Sequence, residues 1–370
     1  ERRGAPPPLA LLGVTVEARP RALAGGPVET HDAAPAWWDD VAVRSPGGHV
    51  LQSSAWARIR AGQGWRPEFV RLGDPLPVAL VLWRAVPIFG RVAYVPRGPV
   101  VAPHDAEGLE RALRSLASLA RERGAVFLKV DPELSPDEAG RPLARAGFRR
   151  GSDVQPVLAT LVLDLGDDLD AVMAKLDKDT RWSVRQASKR GVSVRAAGDD
   201  AGLRAFYELY AGTGRRAGFI TRTWEYYRTV WRTLVDAGLA TLRLAYIGDD
   251  AVAAAMTWRC GDREIYMYGA SNDRARRSFA SYGLQWECIA AAKARGARRY
   301  DLGGIPADLS RKDDPMYGPY LFKKGFGGNT RHYVGAHDAV SRPLAYAAFR
   351  ATEPLFTRAL QLARRRAEPR

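Results

Sequence analysis

The chain has 370 residues, 46% of them hydrophobic and 26% charged, a composition typical of a soluble globular protein long enough for two domains. Its two cysteines are too few for a disulfide framework, which favours a cytoplasmic location, and no apolar run reaches the roughly 20 residues of a membrane-spanning helix. The net charge of +15 indicates a polyanionic partner, namely a nucleic acid, a phosphorylated substrate or an anionic membrane, unless the arginines only reflect a GC-rich genome.

The predicted elements divide the chain into two domains with an extension at each end. Residues 1–35 are rich in Pro, Gly and Ala and predict a flexible lead-in without the cleavage site of a signal peptide. Residues 36–165 predict a first domain that closes with a strand over 157–165. Residues 166–335 predict a second domain, and the basic amphipathic helix in 336–370 is expected to pack back on the first.

Two segments of the first domain are candidates for ligand contacts. Residues 49–53 predict a short strand, and the serine pair at its end is placed to cap a helix that carries Arg60. Further on, two prolines and a glycine hold the backbone of residues 94–100 extended around a single arginine. This stiff segment is either the plain exit of a strand or the wall of a ligand site.

The best-patterned helix is predicted over residues 170–190. At about 100° per residue its apolar side chains fall on one face. The opposite face carries five basic residues, Lys175, Lys178, Arg181, Arg185 and Lys189. An ordinary solvated face would interleave acids at the next turn, so the pattern favours a surface that contacts phosphates.

An internal repeat supports the division into two domains. Residues 120–125 and 292–297 share the pattern Ala-x-x-Arg-Gly-Ala, and each precedes a strand that ends at an aspartate, Asp131 or Asp301. Each half therefore consists of antiparallel strands, then a helix, a strand and a loop. We predict an α+β protein with two related domains side by side and a ligand cleft between them.

The segment 315–338 stands out by its lysines. The chain has 8 lysines against 48 arginines, yet Lys323 and Lys324 are adjacent. Lysine is a compact charge that can be placed beside one reacting oxygen, and glycines that follow it let backbone approach a ligand. A strand end with a tight turn would use the same residues. Substrate contacts are predicted around Lys323 for Tyr317, Phe322, Lys324 and Gly325.

Familiar catalytic motifs do not occur in the sequence. There is no His-x-x-x-His, no Gly-x-Ser-x-Gly, no Walker A loop and no Gly-x-Gly-x-x-Gly after a strand. Cys260 and Cys288 are expected to be core residues. The remaining chemistry is group transfer by positioning and electrostatics, in which a cation stabilises a developing oxyanion. We expect no metal and no cofactor.

The chain as a whole resembles the FemABX family of aminoacyl-tRNA-dependent peptidoglycan aminoacyltransferases, which build interpeptide bridges. Five segments in the family's order carry the resemblance, Leu51–Ser53 with Trp56, Tyr94–Pro99, Thr180–Val192, Tyr300–Ile305 and Phe322–Gly328. The resemblance implies two tandem GNAT-like domains. Longer members insert a two-helix arm in the second domain, and residues 202–240 leave no room for one, so the chain is similar to the short, arm-less type.

The resemblance also implies an activity and roles for residues. An amino acid would pass from aminoacyl-tRNA, the co-substrate, to the stem-peptide amine of lipid II or UDP-MurNAc-pentapeptide. The phosphates of the tRNA would contact the basic face between Lys175 and Lys189. The reaction would take place in the cytoplasm, and peripheral contact with the inner membrane face is left open. Lys323 would lie at the reacting ester as the catalytic residue. The precursor's phosphates would contact Arg60 and Arg216, and the cleft would be lined by Tyr94, Arg97 and Tyr268. No general base is assigned.

Three other functions are compatible with parts of the sequence. An acyl-CoA-dependent N-acyltransferase would need a glycine-rich pyrophosphate loop, which the helix start after Ser271 lacks. A tRNA-dependent ligase acting on a small metabolite would share all the motifs above. A non-catalytic RNA-binding protein would account for the charge but not for the Lys-Gly segment.

Overall fold

The computed structural model describes residues 21–23 and 26–353, which fold into two mixed sheets with helices packed on them. The strands are β1 (Arg21–Leu23), β2 (Gly26–His31), β3 (Arg66–Arg71), β4 (Val78–Val86), β5 (Gly90–Val95), β6 (Ala125–Val130), β7 (Arg149–Arg150), β8 (Ala159–Asp164), β9 (Val192–Ala196), β10 (Ala240–Ile247), β11 (Asp250–Cys260), β12 (Arg263–Ser271), β13 (Arg299–Gly304), β14 (Asn329–His332) and β15 (His337–Val340). The helices are α1 (Trp38–Ala42), α2 (Ser54–Ala61), α3 (Ala106–Glu122), α4 (Pro136–Arg145), α5 (Leu169–Ala174), α6 (Lys178–Lys189), α7 (Asp200–Ala217), α8 (Trp224–Asp236), α9 (Asp273–Ser278), α10 (Ala280–Ala294) and α11 (Tyr317–Lys324). Among these described residues, no helix combines the length and apolar composition that a bilayer span requires.

The first sheet has the strand order β1-β2-β3-β4-β5-β6-β15-β7 and is antiparallel except for the pair β5 and β6. Helix α3 connects that pair. It begins at the Asp105 carboxylate, which accepts a hydrogen bond from the Gly108 amide at 2.7 Å, and it buries a leucine at each turn on the sheet. Strand β2 corrects the predicted lead-in, because Glu29–His31 pair with β3, whereas residues 1–20 and 24–25 lie outside the described part.

The second sheet has the order β14-β8-β13-β12-β11-β10-β9 and is antiparallel except for the pair β12 and β13. Here α9 and α10 make the connection. The predicted repeat is therefore present in the fold, since three antiparallel strands, a helical connection and a parallel strand occur in both sheets. Gly124 and Gly296 close α3 and α10 with φ of 73° and 83°, the left-handed conformation that glycine adopts most readily.

Each sheet takes one strand from the other half of the chain. β8 was predicted to complete the first domain, but it lies in the second sheet between β13 and β14. The alternation of apolar and polar residues predicts a half-buried strand, but it does not show which sheet the strand joins. In the structure the Thr160 hydroxyl contacts the Asp301 carboxylate on β13, and Leu161 and Leu163 pack in the second core. Reciprocally, β15 lies in the first sheet between β6 and β7. The domain boundaries at residues 165 and 335 stay predictions.

The two halves share a hydrophobic core and buried polar contacts. One cluster contains Trp38 and Leu51 of the first half together with Phe206 and Trp231 of the second.

The helix over 343–353, part of the predicted tail, packs on the first sheet through ring contacts of its two aromatic residues with Phe127. Residues 354–370 of that tail lie outside the described part.

Near the start of α2 the structure differs from the predicted strand. Residues Val50–Gln52 form a 3₁₀ turn, after which Ser53 caps α2 as predicted, its hydroxyl accepting from the Trp56 amide at 2.9 Å. The turn is held because the buried Gln52 side chain accepts from the Leu80 amide at 2.6 Å and donates to the Pro96 carbonyl. A polar side chain at the centre of the half thus positions the stiff segment around Arg97.

Candidate active site

A buried lysine occupies an opening between two strands of the second sheet. β12 and β13 pair over Arg263–Ile265 and Arg299–Asp301 and then separate. Lys323, in the last turn of α11, reaches into this opening, where its Nζ donates to the Gly304 carbonyl at 2.6 Å and the residue is 6% exposed. The residues around Lys323, for which a strand end with a tight turn was one prediction, therefore form a helix. This helix turns Lys323 inward and leaves Lys324 exposed.

The end of β13 provides the room for this lysine. Gly303 has φ of 74°, and a Cβ there would lie 2.7 Å from the Tyr266 carbonyl oxygen. The Gly303 amide donates to the Asp301 carboxylate at 2.8 Å, and Asp301 also pairs with Arg263 at 3.3 Å. Burial lowers the pKa of Lys323 to about 8, against the opposing charge of Asp301. At neutral pH the ammonium is mostly charged but close to its titration range.

Gly325 fixes the position of the Lys323 turn against α6. A Cβ at Gly325 would overlap the Thr180 hydroxyl, and the Gly325 carbonyl accepts from the Asp177 amide at 2.9 Å. The predicted substrate contact at Gly325 is thus replaced by a packing contact, because the glycine is buried against a helix. The same contact places the first turn of α6 two residues from the catalytic candidate.

Aromatic side chains surround the exposed side of α11. Phe322 is half-buried and its ring lies 5.0 Å from that of Tyr282, while Tyr317 is half-buried with its ring 5.9 Å from that of Tyr320. These two residues and the exposed Lys324 lie on the same short helix as Lys323, and their predicted contacts with the substrate stay predictions.

The segment around Arg97 is held by buried polar contacts. Arg97 has φ of 52°, an uncommon value for a residue with a side chain, and its amide donates to the Asp131 carboxylate at 2.6 Å. The Tyr94 hydroxyl donates to the same carboxylate at 2.8 Å, and the Arg97 guanidinium pairs with Glu133 at 3.6 Å. Both residues were predicted to line the cleft, yet each is at most 7% exposed, because these bonds hold them inside. Burial raises the pKa of Asp131 to about 6, against the charge of Arg97.

Three arginines converge on aromatic rings where the halves meet. Arg60 lies over the Trp65 ring at 5.0 Å, Arg84 lies over the same ring at 5.4 Å, and Arg222 lies over Tyr226 at 4.3 Å. Burial lowers the pKa of Arg60, and the charges of Arg84 and Arg222 add to that effect. Within the described residues none of the three has a carboxylate partner. Guanidinium groups without acids are suited to bind a multiply charged anion.

Arg216 does not belong to this group. Its guanidinium donates to the Ser271 carbonyl, and it lines a pocket of about 920 Å³ formed by second-half residues alone. The structure therefore brings Arg222, and not the predicted Arg216, near Arg60. Tyr268 lies on the Arg222 side of the same region, packed among other aromatic rings, and burial raises its pKa well above the ordinary value.

The predicted basic helix is interrupted. Residues 175–177 separate α5 from α6, so the basic residues do not share one continuous face. Lys175 pairs with Asp167, and Arg181 is half-buried with its guanidinium on the Ala174 and Leu176 carbonyls, where it closes the end of α5. The other three predicted RNA-contacting residues are exposed and have no acidic partner within the described chain, Lys178, Arg185 and Lys189.

Comparison with known proteins identifies the family. The model of the FemAB family matches residues 38–140, 146–251 and 248–353, which is most of the chain. The chain belongs to the FemAB family. Lipid II:glycine glycyltransferase from Staphylococcus aureus (strain USA300) is 25% identical over an alignment of 402 positions, which covers 86% of this chain and 95% of the relative. The same protein from strain MRSA252 matches to the same extent.

Solved structures show the same fold. The crystal structure of FemX has a TM-score of 0.76 at 24% identity and covers 86% of this chain and 99% of FemX. A conserved protein of unknown function from Bacteroides thetaiotaomicron VPI-5482 has a TM-score of 0.56 at 10% identity, covering 84% and 98% of the two chains. The predicted family, the α+β fold with two related units and the aminoacyltransferase class are confirmed.

Several residues of this FemAB member were missed in the sequence. Asp131 was predicted only as the end of a strand, and Arg84 was not singled out. A usable signal for Arg84 was its place directly after the buried Val78–Trp83 of β4. Arg222 could not be recognised in the sequence, since its place beside Arg60 depends on which residues the fold brings together.

The remaining reactive side chains have structural surroundings. Cys260 and Cys288 are buried, and burial raises the pKa of each thiol to about 12, as expected of core residues. Among residues 21–23 and 26–353, no group of His, Cys, Asp or Glu is arranged to hold a metal ion. Lys323 therefore remains the candidate for the catalytic residue.

Proposed function

We propose that this protein transfers an amino acid from an aminoacyl-tRNA to the stem-peptide side-chain amine of lipid II, which forms an interpeptide bridge. The observation that carries the proposal is the buried ammonium of Lys323 in the glycine-lined opening between β12 and β13. The relative that acts on lipid II and glycine is aligned over 86% of this chain and supports the choice of acceptor.

The chemistry requires no protein nucleophile. An aminoacyl ester is already activated, so the acceptor amine attacks its carbonyl carbon, a C–N bond forms, and negative charge develops on the carbonyl oxygen. The ester C–O bond then breaks, and the ribose hydroxyl leaves with a proton that comes from the amine. Lys323 stabilises the oxyanion, since a preorganised cation in a water-poor opening acts most strongly on charge that appears in the transition state.

The acceptor is held by its diphosphate. Arg60, Arg84 and Arg222 come from both halves and lie without carboxylate partners in the described chain, which suits a ligand with two phosphates. Lipid II and UDP-MurNAc-pentapeptide both carry a diphosphate. We propose lipid II as the acceptor because the name of the relative includes it. Its use would bring the protein to the inner membrane face.

The decisive experiment is a transfer assay with the full chain. Total aminoacyl-tRNA is incubated with lipid II or with UDP-MurNAc-pentapeptide, and the mass of the muropeptide is measured. We expect an added aminoacyl residue with lipid II as the better acceptor. A product that forms from acyl-CoA without tRNA, or an unmodified muropeptide beside a modified small amine, would overturn the proposal.

A further inference from the structure

A stripe of α6 combines cations with one exposed tryptophan. Lys178, Trp182, Arg185 and Lys189 are spaced by 4, 3 and 4 residues, which places them within an arc of about 60° and along roughly 16 Å of helix. The three basic residues are exposed and have no acidic partner in the described chain, and Trp182 is 50% exposed. A large aromatic side chain that is half exposed among three basic residues is a candidate contact for a ligand.

The indole is held in place from below. The ring of Phe279 lies 5.1 Å from that of Trp182 in an edge-to-face contact, and Phe279 itself has φ of 58° between α9 and α10. Arg190 lies over Phe279 at 4.8 Å and donates to the Arg277 carbonyl. Trp182 is thus a supported ring with half of its surface open, which reduces the entropy lost when a flat ligand stacks on it.

The remaining faces of α6 argue against insertion of this helix into a membrane. Its apolar side, including Val184 and Ala187, is buried against α10 and its neighbours, so no wide apolar face is left to enter a lipid interface. A single aromatic ring among cations is instead the arrangement with which proteins bind single-stranded nucleic acid, by phosphate contacts and base stacking.

The helix that carries the stripe also begins beside the active site. Asp177, directly before α6, donates its amide to the Gly325 carbonyl at 2.9 Å, and Thr180 packs on Gly325, two residues after Lys323. An aminoacyl ester at Lys323 is attached to the unpaired end of a tRNA. Lys178 is the first residue of α6 and the end of the stripe nearest to Gly325, so nucleotides that precede the ester would reach the stripe there.

We propose that Trp182 stacks on an unpaired base upstream of the terminal nucleoside of the aminoacyl-tRNA, while Lys178, Arg185 and Lys189 contact the adjoining phosphates. This rests on the proposed use of aminoacyl-tRNA. It assigns the RNA contact to two separable components, stacking at one residue and charge at three.

The test measures the dissociation constant of deacylated tRNA as a function of salt concentration. Trp182→Ala should weaken binding on the order of 10- to 100-fold with an unchanged slope of log affinity against log salt, because a stacking contact releases no counterions. Trp182→Phe should keep most of the affinity. Arg185→Gln should reduce the slope by roughly 0.7 to 0.9, the value of one lost phosphate contact. Leu344→Ala, which removes an 89% exposed apolar side chain elsewhere, is the control.

Each contrary outcome has a defined meaning. Wild-type affinity in Trp182→Ala, or a loss no greater than that of Leu344→Ala, would overturn the stacking assignment. If the Trp182 and Arg185 variants lost binding to anionic phosphatidylglycerol vesicles but kept their binding to tRNA, the stripe would be a membrane contact and the stacking assignment would be wrong. Transfer assays separate this proposal from the proposed function. Trp182→Ala should lower the preference for full aminoacyl-tRNA over aminoacyl-adenosine. If the wild-type protein transfers an amino acid from neither donor, the proposed function is refuted, and the binding measurements alone decide on Trp182.

Discussion

The two halves of the molecule use the same parallel strand pair in opposite ways. In the first half β5 and β6 stay paired from Arg91 to Val95, and the buried Lys129 on β6 forms an ion pair with Asp338 on β15 at 2.8 Å. In the second half β12 and β13 part after Asp301, and the buried lysine in the opening, Lys323, has a backbone carbonyl as its hydrogen-bond partner. A paired buried lysine holds a sheet together, whereas one without a bonded carboxylate can respond to charge on a substrate.

The largest effect should come from removing the second of these lysines. Lys323→Met is expected to lower kcat on the order of 10²- to 10³-fold with little change in acceptor KM, because one oxyanion donor is lost. Lys323→Arg should not restore the rate fully, since a planar guanidinium cannot occupy the same point. Lys324→Ala, which alters the exposed neighbour, is the matched control for kcat measurements. A Lys323→Met protein that kept more than about a tenth of the rate would end this role.

The first lysine should be needed for stability. Lys129→Met leaves the Asp338 carboxylate buried, 1% exposed, without its cation, and we expect the free energy of unfolding to fall by about 3 kcal/mol. Urea unfolding followed by circular dichroism measures this loss. Under conditions in which the variant is folded, its kcat should stay close to that of the wild type. A stable Lys129→Met protein with a strongly reduced kcat would contradict the division of roles.

The pH dependence of the rate should reveal the unpaired lysine. Because the pKa of Lys323 is lowered to about 8, kcat is expected to fall as the pH rises through that value and the ammonium loses its proton. This limb should vanish in Lys323→Arg, whose residual activity keeps its charge. Stability follows the opposite sign: between pH 8 and the ordinary lysine value of 10.5 the unfolded state binds the extra proton, so the free energy of unfolding contributed by this group rises with pH.

The smallest expected effect concerns the arginines between the halves. Arg60→Ala, Arg84→Ala and Arg222→Ala should each raise the KM for lipid II about tenfold, with less change in the KM for aminoacyl-tRNA, because a charged hydrogen bond to a phosphate is lost. Arg216→Ala is the comparison, since its guanidinium lies at Ser271. If Arg216→Ala raised the acceptor KM more than Arg222→Ala, the sequence-based choice would be right and the assignment from the structure wrong.

The sequence predicted those features that depend on local pattern. The repeated Ala-x-x-Arg-Gly-Ala segments located both parallel crossovers, since a helix that ends at a left-handed glycine before a buried strand is a local event. The scarcity of lysine located Lys323. The sequence could not show that 317–324 is a helix, that Gly325 packs on Thr180, or that Arg222 replaces Arg216, because each depends on contacts between residues far apart in the chain.

The exchange of β8 and β15 also has a consequence for how the protein is made. The position between β6 and β7 in the first sheet is filled by His337–Val340, which leave the ribosome roughly 210 residues after β6. At about 5–20 residues per second this is a delay on the order of 10 to 40 s. During that interval β6 presents an unpaired edge in the middle of its sheet, where a foreign strand could add. We expect the nascent first half to depend on chaperones, and a chain cut at the midpoint to yield two fragments that recover structure only when mixed.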